Sequence, residues 1–125
     1  MIAGIGTDIV EVERFEEFVR SNNERLLQRL FSLQELSYCR NAINMGHKLA
    51  ARFAAKEAFL KALGTGFSQG VRWHDIEVIS SASGAPSLLL NGIALTLANE
   101  RHVRSIFLSM SHEKRHALAF VILES

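Results

Sequence analysis

The chain holds a single cysteine, Cys39, and therefore no pair of thiols. An intramolecular disulfide and a zinc site built on paired cysteines are both excluded. Cys39 stands in the helical context "LSYCRNA" and reads as an inert, half-buried thiol. No apolar run approaches the length of a membrane span, so no association with a membrane is expected. A strong charge of either sign is also missing. The formal net charge is +1, which argues against an overall electrostatic grip on nucleic acid, so any basic patch must be local. The N-terminal "MIAGIGTDIV" lacks a basic start and already carries Asp8; no secretory signal is expected, and a reducing, cytoplasmic setting is. Repeats, low-complexity tracts and linkers are absent. What is there is 125 residues, 48% hydrophobic and 22% charged, a profile that fits one soluble domain over residues 1–125 with a modest core.

The patterning points to an α+β domain. "IAGIGTDIV" places Ile2, Ile5, Ile9 and Val10 among small residues and reads as a buried strand. Helical periodicity runs from Glu13 to about Arg20 and again through "ERLLQRLF". Ser32 followed by Glu35 is a capping box, so a further helix should begin at Ser32. The longest helix is expected over about residues 46–63, rich in Ala, Leu, Lys and Glu, and stopped by Gly64. "DIEVIS" and "SLLL" around "SASGAP" suggest a hairpin. "IALTLANERH" is helical again, and "RSIFLSMSH" and "HALAFVILE" are two more strands joined by "EKR".

Three places carry possible chemistry. On the long helix, Leu49, Phe53 and Leu60 form a core stripe. Glu57 and Lys61 are spaced i, i+4 one flank away, beside Ala50 and Ala54. They can be a solvated ion pair. Alternatively the alanines leave room for something to approach the helix, which runs into Gly64-Thr65-Gly66, a turn whose amides could approach an anion. Asp8 interrupts an apolar strand, where a carboxylate must cap a turn, be hydrogen-bonded or paired, or bind metal. A strand carboxylate converging with Glu57 would be a minimal Mg²⁺ site. In "SMSHEKRHALAF", alternation places Ser109 and Ser111 on one face and Met110 and His112 on the other. Ser111 and His112 are then badly placed as nucleophile and base, and His112 could bind a phosphate or simply be exposed. His47, His74, His102 and His116 have no metal-ligand spacing and are expected at the surface.

Taken together, "GIGTDIVEVERF", "RFAAKEAFLKALGTG" and "SMSHEKRHALAFVILE" closely resemble the holo-acyl-carrier-protein synthases, the small bacterial 4′-phosphopantetheinyl transferases. "FSLQEL", "DIEV" and "GAPSLLLNG" fit in order and spacing, so the resemblance runs from about Ile2 to Glu124. It implies the 4′-phosphopantetheinyl transferase fold, a small, mostly antiparallel sheet packed on a long central helix with short helices around it. It also implies Mg²⁺-dependent transfer of phosphopantetheine from coenzyme A to a serine of apo-acyl carrier protein, releasing adenosine 3′,5′-bisphosphate, in fatty acid biosynthesis. By the same resemblance Asp8 and Glu57 are metal ligands. Glu57, or a water it orients, is the base, and Lys61 stabilises pyrophosphate charge. Arg52, Lys61, Gly64, Thr65, Gly66, Ser111 and His112 line the coenzyme A site.

The family assembles as homotrimers with sites between subunits, each chain resembling half of the larger, two-lobed transferases. Arg14 and Phe18, spaced i, i+4, match its carrier-docking segment, and Arg25 is taken with them. Arg20, Arg25 and Arg29 share the region with many glutamates and can equally be plain solvated charge. Thr7 stands where an apolar residue is also common in the family, which leaves Asp8 in place. Two alternatives stand beside the main reading. One is a non-catalytic coenzyme A- or nucleotide-binding trimer, which would not need the Asp8, Glu57 and Lys61 set. The other is an enzyme serving a polyketide or peptide carrier.

Overall fold

The computed structural model describes residues 1–66 and 69–125. The "GTGFSQG" stretch is described on either side of Phe67 and Ser68, which lie outside those residues. Strand β1 (Ile2–Glu11) leads into helices α1 (Val12–Arg20), α2 (Glu24–Leu30), α3 (Leu33–Arg40) and the long α4 (Met45–Leu63). A single 3₁₀ turn, Trp73–Asp75, precedes the hairpin β2 (Ile76–Ser80) and β3 (Pro86–Leu90). Helix α5 (Gly92–Glu100) and the hairpin β4 (Ser105–His112) and β5 (His116–Glu124) complete the chain. The strands form two antiparallel sheets, β1-β5-β4 and β2-β3, an α+β architecture around α4. Most expected boundaries hold to within one or two residues, because the local signals are strong. Ser32 accepts from Glu35 N while the Glu35 carboxylate accepts from Ser32 N, the reciprocal cap expected there. Gly64 ends α4 with φ 83°, a conformation that costs glycine little.

Helix α4 lies against the three-stranded sheet at unusually close range, and small residues on both sides allow it. A Cβ at Gly6 would collide with the carbonyl oxygen of Ala58, and one at Gly4 with that of Ala62. Ala50, Ala54 and Ala58 follow at four-residue intervals and are fully buried. The alanines beside Glu57 thus leave no room for a ligand; the space they leave is taken by protein. The strand reading needs a second correction. Ile2, Ile5 and Ile9 are 59%, 56% and 64% exposed, whereas Val10 is buried. Side chains alternate along a strand, and the helix covers only the face of β1 that carries Gly4, Gly6, Asp8 and Val10. With Phe107, Leu118 and Phe120, also exposed, Ile5 and Ile9 leave the outer face of the sheet apolar in the single chain.

On its opposite side α4 buries a charge. Lys56 is fully buried, and its Nζ donates to Glu35 Oε1 at 2.7 Å, to Leu30 O at 3.0 Å and to Trp73 O at 3.1 Å. Glu35, 1% exposed, also accepts from Val78 N at 2.9 Å and from Ser32 N at 2.8 Å. Burial pushes the Lys56 ammonium below its usual range, and the Glu35 carboxylate opposes that shift. One ion pair therefore ties α2, α3, the 3₁₀ turn and β2 to α4. Cys39 is fully buried, and burial pushes its thiol up, in line with an inert role.

Removing one partner of a buried pair strands the other, so Lys56→Met should cost about 3–5 kcal/mol in urea unfolding. Pairing it with Glu35→Leu should not restore stability. The double change leaves Ser32 N, Val78 N and Leu30 O without these partners, at about 1–3 kcal/mol per buried unpaired group. Full recovery in the double variant would contradict this role.

Candidate active site

Asp8 lies in β1 opposite Ala119 of β5, on the face turned towards α4, and its side chain is 15% exposed. Lys61 is one turn from the end of α4 and more than half exposed. Its Nζ donates to Asp8 Oδ1 at 2.9 Å and to Thr7 O at 3.1 Å. The i, i+4 partner anticipated for Lys61, Glu57, is not its ion-pair partner; the ammonium reaches across to the strand instead. Glu57 is half-buried between them. Burial holds its carboxyl above the usual range, the negative charge of Asp8 raises it further, and Lys61 and Arg14 pull it down. Asp8, Lys61 and Arg14 thus all act electrostatically on Glu57. Asp8 is near enough for its charge to act on Glu57, a relation that spacing could not establish.

These two carboxylates are hard oxygen donors of the kind that suit Mg²⁺, an ion that otherwise keeps waters and substrate phosphates. The charge of Asp8 adds to the cost of ionising Glu57, and a divalent cation held by both would offset it. The donor set therefore fits the metal. Among the described residues there is no cluster of three or more His, Cys, Asp or Glu side chains to hold a metal without other ligands.

Beside Lys61, the Gly64-Thr65-Gly66 turn has two residues of positive φ, Gly64 at 83° and Gly66 at 57°. Among the described residues, a Cβ at Gly66 would have nothing within 4 Å. Arg101, from the end of α5, lies behind the turn, with Nη1 3.4 Å from where a Gly64 Cβ would stand. No sequence signal marks that neighbour, because α5 reaches Gly64 only through the fold.

The remaining expected site residues stand apart from this cluster. Arg52 precedes Glu57 by five residues, about 140° round the helix, and is 3% exposed. Its guanidinium lies 4.4 Å from the Tyr38 ring centroid and donates to Ser80 Oγ at 3.0 Å. Its buried Nε has no hydrogen-bond partner among the described residues. Tyr38 is held below its usual range, first by the Ser80 hydroxyl and then by the charges of Lys48 and Arg52. Ser111 is exposed with Ser109 on the outer face of β4. His112 packs its ring against His47, with centroids 5.2 Å apart. His47 lies ten residues before Glu57, about 15 Å along the helix. The cavity of about 630 Å³ beside His47 has Glu16, Lys114 and His116 in its walls, but not Asp8, Glu57 or Lys61.

On the neighbouring surface Arg14 is exposed, its guanidinium 5.8 Å from the Phe15 ring centroid and 5.7 Å from that of Phe53. Phe18 is partly buried, edge-on to Phe15 at 5.3 Å. Trp73, which drew no attention in the sequence, packs tilted against the buried Phe53 ring, with centroids 4.9 Å apart and planes at 39°. Arg25 is exposed on α2, whereas Arg20 pairs with Glu13 and Glu17. Lys56, adjacent to Glu57, belongs to the buried pair described above.

Residues 4–121 match the 4′-phosphopantetheinyl transferase superfamily. The chain is similar to the holo-[acyl-carrier-protein] synthase of Geotalea daltonii, 48% identical over 124 residues that span 99% of each chain. Its fold is similar to the crystal structure of the holo-[acyl-carrier-protein] synthase from Neisseria meningitidis, with a TM-score of 0.89, 36% identity and all of both chains covered. It is also similar to the Bacillus anthracis holo-(acyl-carrier-protein) synthase solved in complex with coenzyme A (3′,5′-ADP). There the TM-score is 0.81 at 35% identity, over 100% of this chain and 98% of that one.

The raised Glu57 carboxyl has a testable consequence for the metal-free protein. A carboxyl whose folded-state value lies above its unfolded one favours the protonated fold, so stability should fall as pH rises past the ordinary 4.5. In urea unfolding with a chelator present, Glu57→Gln should be the more stable form at neutral pH and lose that advantage below this value. A pH-independent difference would mean that Glu57 is not strained by Asp8 and burial.

Proposed function

The chain belongs to the 4′-phosphopantetheinyl transferase superfamily, and from that premise we propose that it transfers 4′-phosphopantetheine from coenzyme A to a serine of apo-acyl carrier protein. The observation that carries this reading is the meeting of Asp8, Glu57 and Lys61 beside a Gly-Thr-Gly turn. A non-catalytic coenzyme A binder would not need two carboxylates forced together. The relatives named holo-acyl-carrier-protein synthase, and the one solved with coenzyme A, support the same choice of substrates.

In the reaction, the serine Oγ of the carrier forms a bond to the β-phosphorus of the coenzyme A pyrophosphate. The bond from that phosphorus to the bridging oxygen breaks, and adenosine 3′,5′-bisphosphate leaves with the electron pair. Glu57, or a water it orients, accepts the serine proton. Lys61, tethered but largely exposed, places its ammonium on the phosphate oxygens as charge develops on the leaving group. Asp8 and Glu57 would hold Mg²⁺, which when bound neutralises pyrophosphate charge and increases the electrophilicity of phosphorus. Gly64, Thr65 and Gly66 present backbone to the same phosphates. No nucleophile of this chain is required, since the carrier supplies it.

Carrier docking falls to the surface of α1 and α2. Arg14 stands over an aromatic patch with Phe18 beside it, and Arg25 is exposed nearby, which suits an acidic carrier with an apolar contact surface. Arg52, Ser111 and His112 are the second group of coenzyme A contacts. They lie apart from Asp8 and Glu57 within one chain, and the outer sheet face is apolar. Both features support a homotrimer in which one subunit's strands complete the site on another's long helix. Among the described residues no helix is long and apolar enough to cross a membrane. Fatty acid biosynthesis in the cytoplasm is the setting proposed, with one domain of residues 1–125.

Asp8→Ala should abolish Mg²⁺-dependent release of adenosine 3′,5′-bisphosphate, and ordinary turnover would remove Asp8 from the site. Lys61→Ala should lower kcat about 100-fold or more while weakening coenzyme A binding far less; equal losses would contradict a transition-state role. Arg14→Glu should raise KM for the carrier and leave KM for coenzyme A near its original value. An unchanged carrier KM would place the docking surface elsewhere.

A further inference from the structure

We infer that His47 is a positioning residue for His112, fixing the imidazole that contacts the phosphates of coenzyme A. The inference rests on the reading above that His112 lines the coenzyme A site.

The β4–β5 hairpin turns over residues 113–115, immediately after His112, and its tip is fastened from several sides. Val12 N donates to Arg115 O at 2.8 Å and Glu113 N to His116 O at 2.9 Å. Arg115 N and His116 Nδ1 both meet Glu113 Oε1 at 2.9 Å. The first turn of α4 closes on this tip through His47, whose Nε2 lies 3.2 Å from Lys114 O. A carbonyl only accepts, so Nε2 carries the proton and the ring is held in one orientation. Gly46 sets how close this turn comes to α1: a Cβ there would stand 2.6 Å from Glu16 Cγ. The His47 ring held in this way lies 5.2 Å from that of His112, inclined at 60°, within the range of edge-to-face contacts.

His112 is otherwise unrestrained. Its residue is exposed, and among the described residues its side chain makes no hydrogen bond or ion pair. An exposed imidazole free to rotate loses that freedom when it binds a phosphate, and a neighbour that orders it beforehand reduces the loss. His47 has the geometry to do this: one ring nitrogen is anchored on the hairpin backbone and the ring is packed on His112. Its contribution belongs to coenzyme A binding, because His47 acts by ordering a side chain that holds the substrate and itself touches no reacting atom.

The test is steady-state kinetics with coenzyme A and apo-acyl carrier protein varied separately, alongside thermal unfolding of each variant. His47→Ala should raise KM for coenzyme A about fivefold, the effect of one modest ordering contact, with kcat and the carrier KM within about twofold. His47→Gln keeps a donor for Lys114 O but no ring, and should show the same rise. His47→Phe keeps the aromatic contact and should stay within about twofold of the original KM. In a His112→Ala background, His47→Gln should have no further effect. An unchanged coenzyme A KM in folded His47→Gln, or an equal rise with and without His112, would overturn the inference while leaving the transferase reading intact. Absence of transfer by the unaltered protein would remove that reading, and this inference with it.

Discussion

The buried contact between Lys56 and Glu35 is the constraint on which the rest of the arrangement depends. Two charges taken fully out of water are rarely favourable by themselves. Here they persist because each also bonds backbone groups at the ends and edges of elements: the carbonyls of Leu30 and Trp73, and the amides of Ser32 and Val78. The pair is the junction at which α2 ends, α3 begins and the β2 hairpin departs. Its geometry fixes the rotation of α4 about its own axis.

That rotation decides the chemistry on the next residue. With Lys56 held inward, Glu57 is turned towards β1, and Lys61 follows one turn later to reach Asp8 and the Thr7 carbonyl. The separation between helix and strand is set by glycine against alanine. Gly4 and Gly6 rest directly on the helix backbone, which brings the Asp8 carboxylate near enough to perturb Glu57. A methyl group on either glycine would push the strand away and separate the carboxylates. The strain at Glu57 is therefore maintained by packing and charge burial on two sides of one helix.

Much of this was legible in the sequence, for reasons that differ by element. The Ser32–Glu35 cap, the Gly64 stop and the alternating β4 and β5 strands are local signals, and each appears where its residues place it. The proposed catalytic set could be named only because three motifs together carry a family resemblance; spacing alone left Glu57 and Lys61 open between a solvated pair and a flank that a ligand approaches. What the sequence concealed is long-range. Lys56 is an ordinary helical lysine until Glu35, 21 residues away, is brought to it. Ala50 and Ala54 look like room for a ligand until the sheet fills that space. Ile5 and Ile9 look buried because hydrophobicity does not say which face of a strand has a neighbour. Arg52, seen beside Glu57 in the sequence, points to Tyr38 and Ser80 because the helix turns between them. His47 had no pattern to distinguish it, since its partners are a backbone carbonyl and a ring from a distant hairpin.

If strand and helix converge in order to move a phosphopantetheine group, one observation tests it most directly. It is the intact mass of an apo-acyl carrier protein incubated with this chain, coenzyme A and Mg²⁺, with and without a chelator. The account predicts a gain of one phosphopantetheine group that the chelator prevents. An unchanged mass, with coenzyme A demonstrably bound, would contradict it.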